Sequence, residues 1–123
     1  MQPKQRTTIA FIAGRMIAGG ERSSLYDHQQ GKSVHFETTI SPNYIKVFDL
    51  DRGCYTAGPM EENVLDLYDF GHQHLIDLQI SGSTFRGWDD LASCHFSGEV
   101  SGSDVSFHDE GEAKTFLFSF REP

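Results

Sequence analysis

A ring-bearing residue followed by aspartate recurs five times in this chain, as Tyr26-Asp27, Phe48-Asp49, Tyr68-Asp69, Trp88-Asp89 and His108-Asp109. The aspartates are 22, 20, 20 and 20 residues apart. Other positions keep the same register: Ile40, Met60, Ile80, Val100 and Phe120 form one column, and Phe36, Thr56, Ile76, Phe96 and Phe116 another. A fixed period of this kind means that one supersecondary unit is repeated, each copy burying the apolar face of the next.

Within a unit the apolar residues alternate, which is the period of a β-strand. Gly82-Ser83 and Gly102-Ser103 sit between two such runs, and glycine first in a two-residue loop marks a hairpin turn. Folding at those turns sets Ile80 opposite Phe85, Leu78 opposite Gly87 and Ile76 opposite Asp89. One repeat later it sets Val100 opposite Val105, Gly98 opposite Phe107 and Phe96 opposite Asp109. A slip of one residue would exchange the faces of every side chain, so this complementarity fixes the register. Pro42-Asn43 and Glu62-Asn63 occupy the same place in earlier units, and Gly19-Gly20 marks the first turn. Each aspartate opens a second turn, in which its carboxylate can accept backbone N–H bonds.

The expectation is therefore all-β: an antiparallel meander of about ten short strands, from five hairpin repeats of about 20 residues, closed as a barrel or a sandwich. A parallel β-helix with one coil per repeat is the rival. A single domain spans residues 1–123, and no helix of any length is expected. The core layer is Ile40, Ile45, Met60, Leu65, Ile80, Phe85, Val100, Val105 and Phe120. Gly58, Gly87 and Gly98 thin the middle inner layer, either leaving a cavity or accommodating Leu67, Leu78 and Phe107, and the second is the expectation.

Function is constrained first by charge. A net charge of −8 disfavours nucleic acid, which needs clustered Lys and Arg. No apolar run reaches membrane-spanning length. The stretch Ile9 to Ala13 is too short for the core of a signal peptide, so a cytoplasmic location is expected. Asp27, Asp49, Asp69, Asp89 and Asp109 would line one end of a barrel, as turn caps or as a rim that binds a cation or small molecule, together with His74 and His95. Cys54, His74 and Cys94 share one repeat position. Strand spacing of about 10 Å per repeat keeps them too far apart for one zinc ion or a disulfide, so no metal or cofactor is expected. Phe48, Tyr68, Trp88 and His108 point outward and suggest an interface.

The run Phe-Arg-Gly-Trp-Asp, then His-Phe-Ser-Gly-Glu-Val-Ser-Gly, then Val-Ser-Phe-His-Asp, between Phe85 and Phe116, resembles small bacterial proteins of the integron gene-cassette type with repeated Tyr-Asp and His-Phe-Ser-Gly elements. That resemblance implies no activity and no catalytic residue. The leading reading is a non-enzymatic interaction protein that self-associates or binds a protein partner through the aromatic outer face. The second is a binder of small molecules or cations, through the barrel interior or the aspartate rim. The third is a hydrolase using an Asp/His pair, Asp89 with His95 or Asp109 with His108.

Overall fold

The computed structural model describes residues 1–121 and shows a closed, ten-stranded antiparallel barrel. The strands are β1 (Ser24–Asp27), β2 (Lys32–Ser41), β3 (Tyr44–Asp49), β4 (Cys54–Glu61), β5 (Val64–Asp69), β6 (His74–Ser81), β7 (Thr84–Asp89), β8 (Cys94–Ser101), β9 (Asp104–Asp109) and β10 (Lys114–Ser119). Each pairs with its neighbour in sequence, and β1 pairs with β10 to close the ring. The register across the Gly-Ser turns is the one the side chains require: Ile80 faces Phe85, Leu78 faces Gly87, and Gly98 faces Phe107. Ile40 facing Ile45 and Met60 facing Leu65 extend the same pairing to the Pro42-Asn43 and Glu62-Asn63 turns. Glu62 adopts φ 55, the left-handed value that Gly82 and Gly102 take more easily.

The aspartate turns repeat as faithfully. Oδ1 of each aspartate accepts the N–H groups of the second and third residues after it, as from Asp51 and Arg52 to Asp49, or from Gly111 and Glu112 to Asp109. The fourth residue lies at positive φ in all five turns: Gly31, Gly53, Gln73, Ser93 and Ala113. Gly71 and Gly111 serve a different need. A Cβ at Gly71 would come within 2.7 Å of the Cys54 sulfur, and one at Gly111 within 3.1 Å of the Cys94 sulfur.

The expectation of no helix is overturned. Helix α1 (Pro3–Ala18) runs through the lumen, and every residue from Gln5 to Gly14 is buried. Gly19, at φ 74, ends it by donating its N–H to the Arg15 carbonyl, so Gly19-Gly20 is a helix terminus rather than a hairpin turn. The physical reason is the size of the ring. Side chains alone fill a barrel of about eight strands, and ten strands leave room for a helix. Phe11 stacks on Phe36 at 4.2 Å between ring centres. Gly14 lies where a Cβ would meet the Phe120 ring at 2.7 Å and Val105 at 2.9 Å, so the helix touches the wall there. The expected core layer is otherwise in place, except that Ile40 is 41% exposed at the rim and Ile80 is half-buried.

Gly58, Gly87 and Gly98 mark close backbone approach. A Cβ would come within 1.8 Å of the Asp66 carbonyl at Gly58, 2.0 Å of the Asp77 carbonyl at Gly87, and 2.2 Å of both Phe85 and the Ser106 carbonyl at Gly98. They let the wall coil tightly.

Candidate functional site

The five aspartates converge at one end of the barrel around the first turns of α1, and all are buried. Their Oδ1 atoms hold the turns, and their Oδ2 atoms face inward. Thr7 Oγ1 lies 3.4 Å from Asp27 Oδ2, and Thr8 donates to Asp49 Oδ2 at 3.0 Å. The Gln5 amide donates to Asp69 Oδ2 at 2.8 Å. Arg6 and the Met1 ammonium reach Asp109 Oδ2 at 3.2 and 3.1 Å. Four consecutive helix residues thus serve four carboxylates, because successive side chains fan out by about 100° around a helix. Arg52, from the turn after β3, joins Asp49 and Asp69 at 2.9 Å each.

Burial alone would raise the Asp69 carboxyl, but its bonds from Arg52 and Gln5 hold it below the usual aspartate value. Asp109 behaves alike: burial opposes, and the Met1 ammonium, the turn N–H of Glu112 and Arg6 prevail. Burial also works against the Arg52 cation, and its two carboxylates outweigh it and raise its pKa. Both cysteines are free, and burial pushes both thiols up, which makes them poor nucleophiles.

Asp89 is served differently. Its Oδ1 lies 3.1 Å from Nε2 of buried His74, which also contacts the Gln5 amide, and its Oδ2 has no hydrogen-bond partner. The two acid–base pairs expected at this rim do not form. Asp89 points inward while His95 lies on the outer face with its ring 4.7 Å from Trp88. His108 also faces outward and shares a 3.0 Å hydrogen bond with Thr115. Among the described residues, no group of three or more His, Cys, Asp or Glu is disposed to hold a metal ion.

The outward aromatics lie where the alternation puts them, but each is half-buried by a neighbour. Phe48 meets Tyr55 edge-on at 4.8 Å, and Tyr68 meets Phe70 at 4.8 Å. Beside them lie residues more exposed than they are: Tyr55 at 41%, Phe70 at 55% and Leu75 at 55%. Sequence reasoning passed over them. Tyr55 and Leu75 are cross-strand partners of Phe48 and Tyr68, so the register of the later hairpins, carried back, would have found them. Together the five make one apolar patch across β3–β6 beside the aspartate end. A shallow cavity of about 280 Å³ opens there, between Tyr44, Lys46, Tyr55, Ala57 and Phe70.

No described helix is long and apolar enough to cross a membrane. No family model, curated protein or solved structure matches the chain.

Proposed function

We propose that this protein is a non-enzymatic interaction module that docks onto a protein surface, in the first instance a second copy of itself, through the outer face of β3–β6. The observation that carries this reading is the patch of Phe48, Tyr55, Tyr68, Phe70 and Leu75, exposed most at its three unpredicted members. Aromatic side chains present large contact areas at low entropic cost, and they are enriched in interface cores. Helix α1 occupies the lumen, where a ligand held in the barrel interior would have to lie. A cytoplasmic setting and a kinship with cassette-type proteins belong to the same reading, and neither brings an activity.

Native mass spectrometry of the untagged chain, at low micromolar concentration, tests it. A discrete oligomer is expected for the parent, and monomer for the pair Phe70→Ser with Leu75→Ser. Both positions are exposed, so the thermal midpoint of that variant should stay within a few degrees of the parent's. Trp88→Ala, farther round the wall, extends the test along the belt and should weaken assembly more than folding. A parent that stays monomeric, or an oligomer that survives the paired substitution, would refute self-association through this face.

A further inference from the structure

Asp89 is the one carboxylate of the ring whose inward oxygen lacks a donor among the described residues. A mismatch of symmetry explains this. Five aspartates on alternate strands stand roughly 72° apart around the barrel, whereas helix residues advance about 100°. Gln5, Arg6, Thr7 and Thr8 therefore reach Asp69, Asp109, Asp27 and Asp49, and pass over Asp89. Gln5 Oε1, whose amide touches the same His74 ring, is a second buried acceptor without a donor. Buried acceptors left unmatched are costly, and a buried carboxylate oxygen most of all.

The chain itself shows what fills such a place. Arg52, the third residue after Asp49, lays its guanidinium across two aspartates of the ring. The third residue after Asp89 is Ala92, which is exposed. Beside it is a cavity of about 300 Å³ bounded by Met1, Gln2, Leu91, Ala92 and Glu112, with Asp89 in its wall. A guanidinium is planar, carries five N–H donors and is weakly hydrated, so it enters a half-buried acidic site more readily than an ammonium.

We propose that this cavity is a guanidinium-binding site, anchored by Asp89 with Glu112 at its mouth, for a free guanidinium compound or the arginine side chain of a peptide. It is independent of the outer-face reading, and a monomeric protein would bind equally well. The untagged full chain is titrated with methylguanidinium, methylammonium and a blocked Gly-Arg-Gly peptide at equal ionic strength, following backbone amides by NMR. Saturable shifts at Leu91, Ala92 and Glu112 are expected with methylguanidinium, and binding weaker by about tenfold or more with methylammonium. Peptide binding tighter than methylguanidinium would assign the ligand to arginyl peptides, and equal binding to free guanidinium compounds.

Ala92→Arg should supply the missing group internally. Its thermal midpoint should rise more than that of Ser103→Arg, which adds the same charge at the opposite rim, and its methylguanidinium shifts should vanish. Asp89→Asn keeps the turn acceptor and should also abolish binding. Absence of saturation in the parent, equal response to methylammonium, or binding retained in Ala92→Arg would overturn the proposal.

Discussion

The aspartate turns put five residues into the left-handed region, and only Gly31 and Gly53 are glycines. At Gln73, Ser93 and Ala113 a Cβ crowds the following carbonyl, a strain of about 1–2 kcal/mol that glycine avoids. Glycine is also freer in the unfolded chain, which returns part of that gain. Ala113→Gly should therefore stabilise the protein by about 0.5–1 kcal/mol in urea unfolding, and Gly53→Ala should destabilise it by a similar amount. The Gly53 site has no atom within 4 Å of an added Cβ, so the second change tests conformation without collision. Equal midpoints for Ala113→Gly and the parent would show that the strain is relieved locally. At this scale the sequence was half legible. The carboxylate caps follow from aspartate chemistry alone, but no glycine marks the left-handed positions Gln73 and Ala113, and Gly71 and Gly111 lie two residues before them. Their role depends on Cys54 and Cys94, which pack against those turns from a neighbouring strand.

At the scale of elements, the aspartate end is a buried ionic collar joining α1 to the strands, and its cohesion depends on pH. Asp69 and Asp109 titrate lower folded than unfolded. Their contribution is complete above the unfolded aspartate value of about 4 and is lost as pH falls toward their folded values. Asp77 acts oppositely on the outer wall. Burial and facing Asp66 raise its carboxyl, so its contribution is present at low pH and lost as pH rises through its folded value. Asp51, held down by its bonds from Lys4 and Lys32, is a third depressed carboxylate, and three against one raised make the protein less stable at pH 3 than at pH 6. Arg52→Ala should cost about 3–5 kcal/mol at pH 6, since it strands two buried carboxylates. It should also flatten the acid limb, because protonation then relieves Asp69 instead of breaking its pair with Arg52. Urea midpoints at both pH values check this, and an acid limb as steep in Arg52→Ala as in the parent would assign acid sensitivity to other groups. The strands of this collar were readable from alternation and spacing; its helix was not. A helix buried on every side has no polar stripe to reveal its period, and Gln5, Arg6, Thr7 and Thr8 look solvent-facing until the aspartates are placed around them. The signals present were Pro3 at the start, the unpatterned run Ile9 to Ala13, and the glycine pair at the end.

For the molecule as a whole, the barrel and its plug are one core, and its weakest line is the seam where the chain closes on itself. β1 and β10 pair through Tyr26 with Ser119 and Asp27 with Phe118 alone, whereas most other strand pairs match six residues. Side chains reinforce that seam: Gln29 bonds the Leu117 backbone in both directions, His28 meets Ser119 at 2.8 Å, and Arg121 lies over Tyr26 at 3.7 Å. The helix spans it from inside, with Thr7 toward Asp27 of β1 and Arg6 over the Phe116 ring of β10 at 3.5 Å. Phe11 holds the helix in place between Phe36 and Phe120. Phe11→Ala should therefore cost about 3–5 kcal/mol, the usual loss for a fully buried phenylalanine. The loss should also be unevenly distributed. In native-state hydrogen exchange, amides of β1 and β10 should lose protection by a larger factor than those of β5 to β8, because local opening begins where fewest bonds must break. Uniform loss across all strands would mean that the ring opens only by global unfolding, and that the helix supports the whole wall evenly rather than its seam.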